Sequence, residues 1–153
     1  MCGIIAYIGS RPCRDILIEG LKRLEYRGYD SAGVAITQTA GDGSTGVCKS
    51  VGRVSGLEDK LESDLPNLNG TIGLAHTRWA THGAVTTPNT HPHSDDTGTI
   101  YLVHNGIIEN YASLKKLLEE KGRTFTTETD TEVLATLLSE LYAAAHETSG
   151  GMD

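Results

Sequence analysis

A thiol at the second position carries the strongest chemical signal in the chain. The sequence opens Met1-Cys2-Gly3, and removal of Met1 before this small residue leaves a thiol and a free α-amine on one carbon. An unperturbed α-amine titrates near ~7.7–8.0 and a thiol near ~8.5, so both are poised for proton transfer around neutral pH. A terminal amine can serve as the base for its own side-chain nucleophile. With Met1 in place that amine is tied up in a peptide bond, and the site as encoded is inert until processed.

Three further stretches could supply the partners such a nucleophile needs. His76-Thr77-Arg78-Trp79-Ala80-Thr81-His82-Gly83 gathers polar groups where an apolar run opens into a long polar one, a place where sites are often built. Arg78 there offers a planar fork of donors suited to a carboxylate, or is a surface arginine beside a half-buried Trp79. Asn105-Gly106 reads either as a tight turn or as an oxyanion hole made of a side-chain amide and a main-chain N–H. Asp130 either stabilises a helix N-terminus or receives a substrate ammonium.

A metal reading is also open. His76, His82, His91, His93 and His104 accompany Asp95 and Asp96, but His91 and His93 are two apart, which on an extended segment sends them to opposite faces. The chain has no HExxH and no Cys/His zinc spacing. Phosphate loops of the GxGxxG and GxxxxGK[ST] types are absent, as is a GxSxG serine elbow.

Strands and helices must position these groups. Residues 3–9 are apolar and β-branched and stop at Gly9-Ser10-Arg11-Pro12, which predicts a strand and a turn. Ile16, Leu17, Leu21 and Leu24 repeat on one helical face, with Gly20 as a cost. Tyr26 to Gly33 is turn-rich and leads to a strand over Val34–Thr37, with a polar loop tip from Thr39 to Gly46. A strand at Val47–Val51 follows, then a helix facing inward through Val54, Leu57, Leu61 and Leu65, and a strand over Thr71–Trp79. From Ala80 to Gly98 no element is predicted, and so long a loop is usually functional. Thr99–His104 reads as a strand, and Asn110 as the cap of a helix with Leu114, Leu117 and Leu118 inward, ending at Gly122. Arg123–Thr127 is expected to be a strand. Thr129-Asp130-Thr131-Glu132 has the capping-box pattern, ahead of a face made by Val133, Leu134, Leu137, Leu138 and Leu141. The order gives an α+β class with mainly antiparallel sheet.

The 153 residues suit one domain. A net charge of -7 with scattered basic residues argues against nucleic acid. Three widely spaced cysteines fit a reducing compartment. No apolar run approaches the roughly 20 residues that span a bilayer, and a cytoplasmic location is expected.

Taken in order, Met1-Cys2-Gly3-Ile4, Tyr26-Arg27-Gly28-Tyr29-Asp30-Ser31-Ala32-Gly33, His76 to Gly83, His91-Pro92-His93, His104-Asn105-Gly106-Ile107-Ile108-Glu109-Asn110 and Thr129 to Glu132 resemble one family closely. It is the glutaminase domain of class II glutamine amidotransferases, N-terminal nucleophile enzymes, and the Tyr-Arg-Gly-Tyr-Asp and Arg-Trp-Ala-Thr-His forms are similar to its hexosamine-forming branch. The resemblance implies an αββα sandwich of mainly antiparallel sheets, here incomplete at the C-terminus, with residues 1–153 as its N-terminal part. It implies L-glutamine as substrate, Cys2 as nucleophile, and Asn105 and Gly106 as the oxyanion hole. Arg78 would take the substrate α-carboxylate and Asp130 its α-ammonium. Trp79, Thr81 and His82 would line the pocket and its loop, Arg27 would support it, and His91 would sit near its substrate end.

No metal or organic cofactor is implied. In that branch the ammonia converts fructose 6-phosphate to glucosamine 6-phosphate on sugar-phosphate isomerase domains, in a homo-oligomer, with no nucleic acid or membrane partner. A non-catalytic binding remnant and a His-rich metal-binding domain are the alternatives.

Overall fold

The computed structural model describes residues 2–38, 43–79 and 84–149. The chain divides into two compact units, Met1–Pro92 and His93–Asp153.

In the first unit, strands β1 (Gly3–Ile8), β2 (Ser31–Thr37), β3 (Thr45–Val51) and β4 (Ile72–Arg78) form one antiparallel sheet in the order β1-β4-β2-β3. Helices α1 (Arg14–Leu24) and α2 (Val54–Asp64) pack on it. Strand alternation decides which side they cover. Ala32, Val34 and Ile36 of β2, Ala75 of β4 and Cys48 of β3 share one face and join Leu17, Leu21, Leu57 and Leu61 in the core. Each fully buried leucine contributes roughly 1.5–3 kcal/mol. Asp15 in the first turn of α1 and Lys22 and Arg23 in its last complement the helix dipole. Gly20, a cost in helix propensity, is where α1 meets β1: a Cβ there would lie 2.9 Å from the Ile5 side chain. On the opposite face of the sheet Ile4, Ile8, Ile72 and Val51 are exposed.

These elements follow the expected pattern, except that β2 begins three residues before Val34 and β3 begins at Thr45, inside the stretch expected as a loop tip. The Tyr26–Gly33 stretch opens with a 3-10 turn at Glu25–Arg27.

The second unit departs further from expectation. Among its described residues the sheet is only β5 (His93–Ser94) against β6 (Tyr101–Leu102), with helices α3 (Tyr111–Glu120) and α4 (Asp130–Ser149). A strand thus forms inside the stretch where none was expected, and the Thr99–His104 strand shrinks to two residues. The cause is Asp95, whose carboxylate accepts N–H bonds from Thr99 and Ile100 at 2.8 and 2.7 Å, turning the hairpin tip. Burial pushes the Asp95 carboxyl up, but bonds from the Thr97 hydroxyl, the Ile100 N–H, Ser139 and the Thr99 N–H outweigh it and hold it below the ordinary range.

Arg123–Thr127 is not a strand. Three of its N–H groups go to carboxylates instead of a ladder: Thr124 donates to Asp96, and Thr126 and Thr127 donate to Glu132, while the Arg123 N–H donates to the Leu118 carbonyl. Helix α3 is closed just beyond its end by Gly122, where φ is +86°. Asn110 stands at its N-cap without making a side-chain cap bond.

Helix α4 buries the expected face only in part: Val133 is buried and Leu134 and Leu137 are half-buried, but Leu138 and Leu141 are 38% and 58% exposed, while Ala135, Thr136 and Ser139 are buried. The helix packs with β5, β6 and α3, and Ser139 lies within reach of Asp95 and Arg123. Arg123 pairs with both Asp96 and Glu140. Among the described residues no helix is long and apolar enough to cross a membrane.

Candidate active site

Cys2 precedes β1 at the end of the sheet where β4 finishes. Gly3 pairs with Thr77, and the Gly3 N–H donates to the Thr77 hydroxyl at 3.2 Å. That pairing brings Cys2 alongside the strand end at Arg78 and Trp79. The Trp79 N–H donates to Cys2 Sγ at 3.4 Å, and the sulfur lies 3.9 Å from the Trp79 carbonyl. Backbone thus aims the thiol, which is partly exposed.

The Tyr-Arg-Gly-Tyr-Asp segment braces this strand end from the other side. The Asp30 N–H donates to the Arg78 carbonyl at 3.0 Å, and Ser31 is paired with Arg78 across β2 and β4. Tyr29 meets Trp79 edge to face at 5.7 Å, and the Arg53 guanidinium stands 5.6 Å from the Tyr29 ring. Arg27 is half-buried on the 3-10 turn, which packs against β4.

Gly28 allows the close approach, since a Cβ on it would lie 2.8 Å from both Arg78 C and Trp79 N. Those neighbours are backbone and cannot swing aside. Gly28→Ala is expected to cost about 1–3 kcal/mol of stability by overpacking and to lower turnover about tenfold by displacing the strand end that aims Cys2. Denaturant unfolding and steady-state kinetics check both; wild-type values in both would refute the role given to this contact.

Arg78 is half-buried, with one guanidinium nitrogen 3.5 Å from the Ala84 carbonyl. Trp79 is 44% exposed. His91 lies deeper: its ring is 4.4 Å from that of buried His76, two residues in from Arg78 along β4, and its carbonyl rests against Gly33. Thr81 and His82 lie outside the described residues. Cys13 and Cys48 are buried in the core, and burial pushes both thiols up. Neither is suited to be a nucleophile.

In the second unit Asn105 and Gly106 are exposed in the segment between β6 and α3. Among the described residues no strand follows them, so they do not form the turn of a hairpin. Asp130 opens α4. Its Oδ2 accepts the Ile108 N–H at 2.7 Å, and its Oδ1 accepts the Thr131 hydroxyl at 3.3 Å. A carboxylate has about four acceptor sites, which leaves room for an ammonium beside these two donors.

The capping box closes on one side only. Thr129 Oγ1 accepts the Glu132 N–H at 3.4 Å, while the Glu132 carboxylate turns to Thr126 and Thr127. Gly28, Tyr29 and Ile108 carry no chemical signal of their own in the sequence, and Glu132 reads there only as part of the capping box. Gly28 and Tyr29 could have been found from their place inside the Tyr-Arg-Gly-Tyr-Asp motif. Among the described residues no group of three or more His, Cys, Asp or Glu side chains is placed to hold a metal ion.

Comparison with known proteins gives a consistent answer. The family model described as a glutamine amidotransferase domain matches residues 65–152. The chain is 53% identical over 142 residues to the glutamine–fructose-6-phosphate aminotransferase (isomerizing) of Thermus thermophilus, covering 93% of this chain and 23% of that protein. It is 48% identical over 152 residues to the protein of the same name from Streptomyces coelicolor, covering 99% of this chain and 24% of that one. Among solved structures, the glutamine phosphoribosylpyrophosphate amidotransferase from B. subtilis superposes with a TM-score of 0.72 at 29% identity, covering 91% of this chain and 29% of that one. The chain thus spans about a quarter of the length of the curated relatives it matches. The α+β class with antiparallel sheets agrees with the sequence expectation, and its match to the B. subtilis amidotransferase gives that class a specific fold. With more than half of its residues inside the family match, the chain belongs to the glutamine amidotransferase domain family.

Proposed function

We propose that residues 1–153 form the N-terminal part of a glutaminase domain that releases ammonia from the side-chain amide of L-glutamine. The observation that carries this reading is the thiol of Cys2, aimed by the Trp79 N–H at the open strand end beside Arg78. Removal of Met1 frees the Cys2 amine. That amine takes the thiol proton, through a water, and the thiolate attacks the amide carbon of glutamine. The resulting oxyanion is held by the Asn105 side-chain amide and the Gly106 N–H. The C–N bond then breaks as the ammonium of Cys2 returns its proton to the leaving nitrogen, and ammonia departs. Water, deprotonated by the same amine, attacks the γ-glutamyl thioester and yields glutamate and the thiol.

Arg78 binds the substrate α-carboxylate and Asp130 its α-ammonium, a pairing that selects the free amino acid. Trp79 lines the pocket, Arg27 supports it and His91 stands near the substrate end of the loop. None of these steps calls for a metal or organic cofactor. In the longer proteins of this branch the ammonia goes to fructose 6-phosphate on sugar-phosphate isomerase domains, giving glucosamine 6-phosphate. We place the chain in that hexosamine pathway, in the cytoplasm, within a homo-oligomer when those domains are joined to it.

Trapping the acyl intermediate tests the reading. With L-glutamine and hydroxylamine, the chain lacking Met1 is expected to form γ-glutamyl hydroxamate and ammonia. Failure to form either from a folded, processed chain would favour a non-catalytic remnant.

A further inference from the structure

Glu132 is a charged side chain only 6% exposed, and the chemistry above gives it no task. Its carboxylate accepts four hydrogen bonds: from the N–H and the hydroxyl of Thr126, both at 2.9 Å, and from the N–H and hydroxyl of Thr127 at 2.8 and 2.7 Å. Four donors fill the acceptor capacity of a carboxylate, which offsets the cost of burying it.

All four donors come from the chain entering α4, whereas Glu132 sits in the first turn of the helix. The carboxylate therefore ties the two together across the residues between them. Thr129 tightens the loop, with its Oγ1 2.8 Å from that of Thr127 and accepting the Glu132 N–H. Inside this closed loop stands Asp130. Its Oδ2 is directed at the Ile108 N–H, two residues beyond Gly106.

We infer that Glu132 is a positioning residue: it fixes the orientation at which the Asp130 carboxylate holds the Ile108 N–H and meets the α-ammonium of the substrate, and it thereby sets selectivity for a free α-amino acid. The selectivity half rests on the glutamine reading; the hold on Ile108 rests on geometry alone.

Glu132→Gln separates these roles from simple loss of fold. The amide keeps one oxygen and turns an NH2 group toward the threonine donors, so it cannot satisfy all four. Hydrogen exchange at the Ile108 amide is expected to quicken about tenfold relative to the Leu118 amide of α3, as an ionic hydrogen bond loosens. The ratio of kcat/KM for L-glutamine to that for glutaramate, which is glutamine without its α-amine, is expected to fall about tenfold or more, because glutaramate never used Asp130. Thr126→Val deletes a single hydroxyl donor and is expected to give both changes at about threefold, which keeps the test open if Glu132→Gln does not fold.

Unchanged Ile108 exchange in a folded variant overturns the inference, and so does an equal loss on both substrates. A wild-type chain that shows no preference for L-glutamine over glutaramate would overturn the selectivity claim together with the glutamine reading. Exchange at Ile108 would still decide whether Glu132 holds Asp130.

Discussion

Replacing Cys2 by alanine is expected to lower glutamate release from L-glutamine by at least about 10⁴-fold, the scale on which losing a covalent nucleophile acts. No other cysteine can take over the role. Cys13 and Cys48 are buried in the core with their thiols pushed up by that burial. The fold should survive, because Cys2 lies outside the core cluster and is partly exposed; substitutions at such positions usually change stability by about 0.5 kcal/mol or less. Glutamate release and thermal unfolding, measured on the same preparation, check both halves. Unchanged release would show that the nucleophile has been misassigned.

Asn105→Ala is the second large effect. Asn105 is exposed between β6 and α3, and among the described residues no strand follows it, so its side chain is neither a core residue nor part of a hairpin turn. As an oxyanion donor it acts mainly in the transition state, and its removal is expected to reduce kcat about 10²- to 10³-fold with little change in KM. Steady-state kinetics on L-glutamine decides this. A raised KM at unchanged kcat would make Asn105 a ground-state binding residue instead.

How far the sequence revealed this molecule depends on what stabilises each part. In the first unit, β1, α1, α2 and β4 could be read from apolar spacing because apolar burial holds them: Leu17, Leu21, Leu57 and Leu61 occupy the core that their period implies. In the second unit the decisive forces are hydrogen bonds from backbone to distant carboxylates, which leave no period. Asp95 shortens β6, and Asp96 and Glu132 take the N–H groups of Thr124, Thr126 and Thr127 where a strand was expected. Ser139, on the buried side of α4, serves Asp95 and Arg123 while Leu141 faces outward.

The site divides in the same way. Cys2, Arg78, Asn105 and Asp130 were legible as chemistry-bearing types within motifs. Gly28 and the Ile108 N–H were not, because what they contribute is space or a backbone donor, and Glu132 was read only as the closing residue of a capping box. Their parts emerge only once β4 and α4 are folded.

Intact-mass analysis after exposure to an electrophilic analogue of L-glutamine, such as its diazoketone, tests the central claim most directly. The account predicts a chain lacking Met1 that carries one adduct, located on Cys2, with Cys13 and Cys48 untouched and L-glutamine protecting against labelling. A folded, processed chain that gains no adduct, or gains one elsewhere, would contradict it.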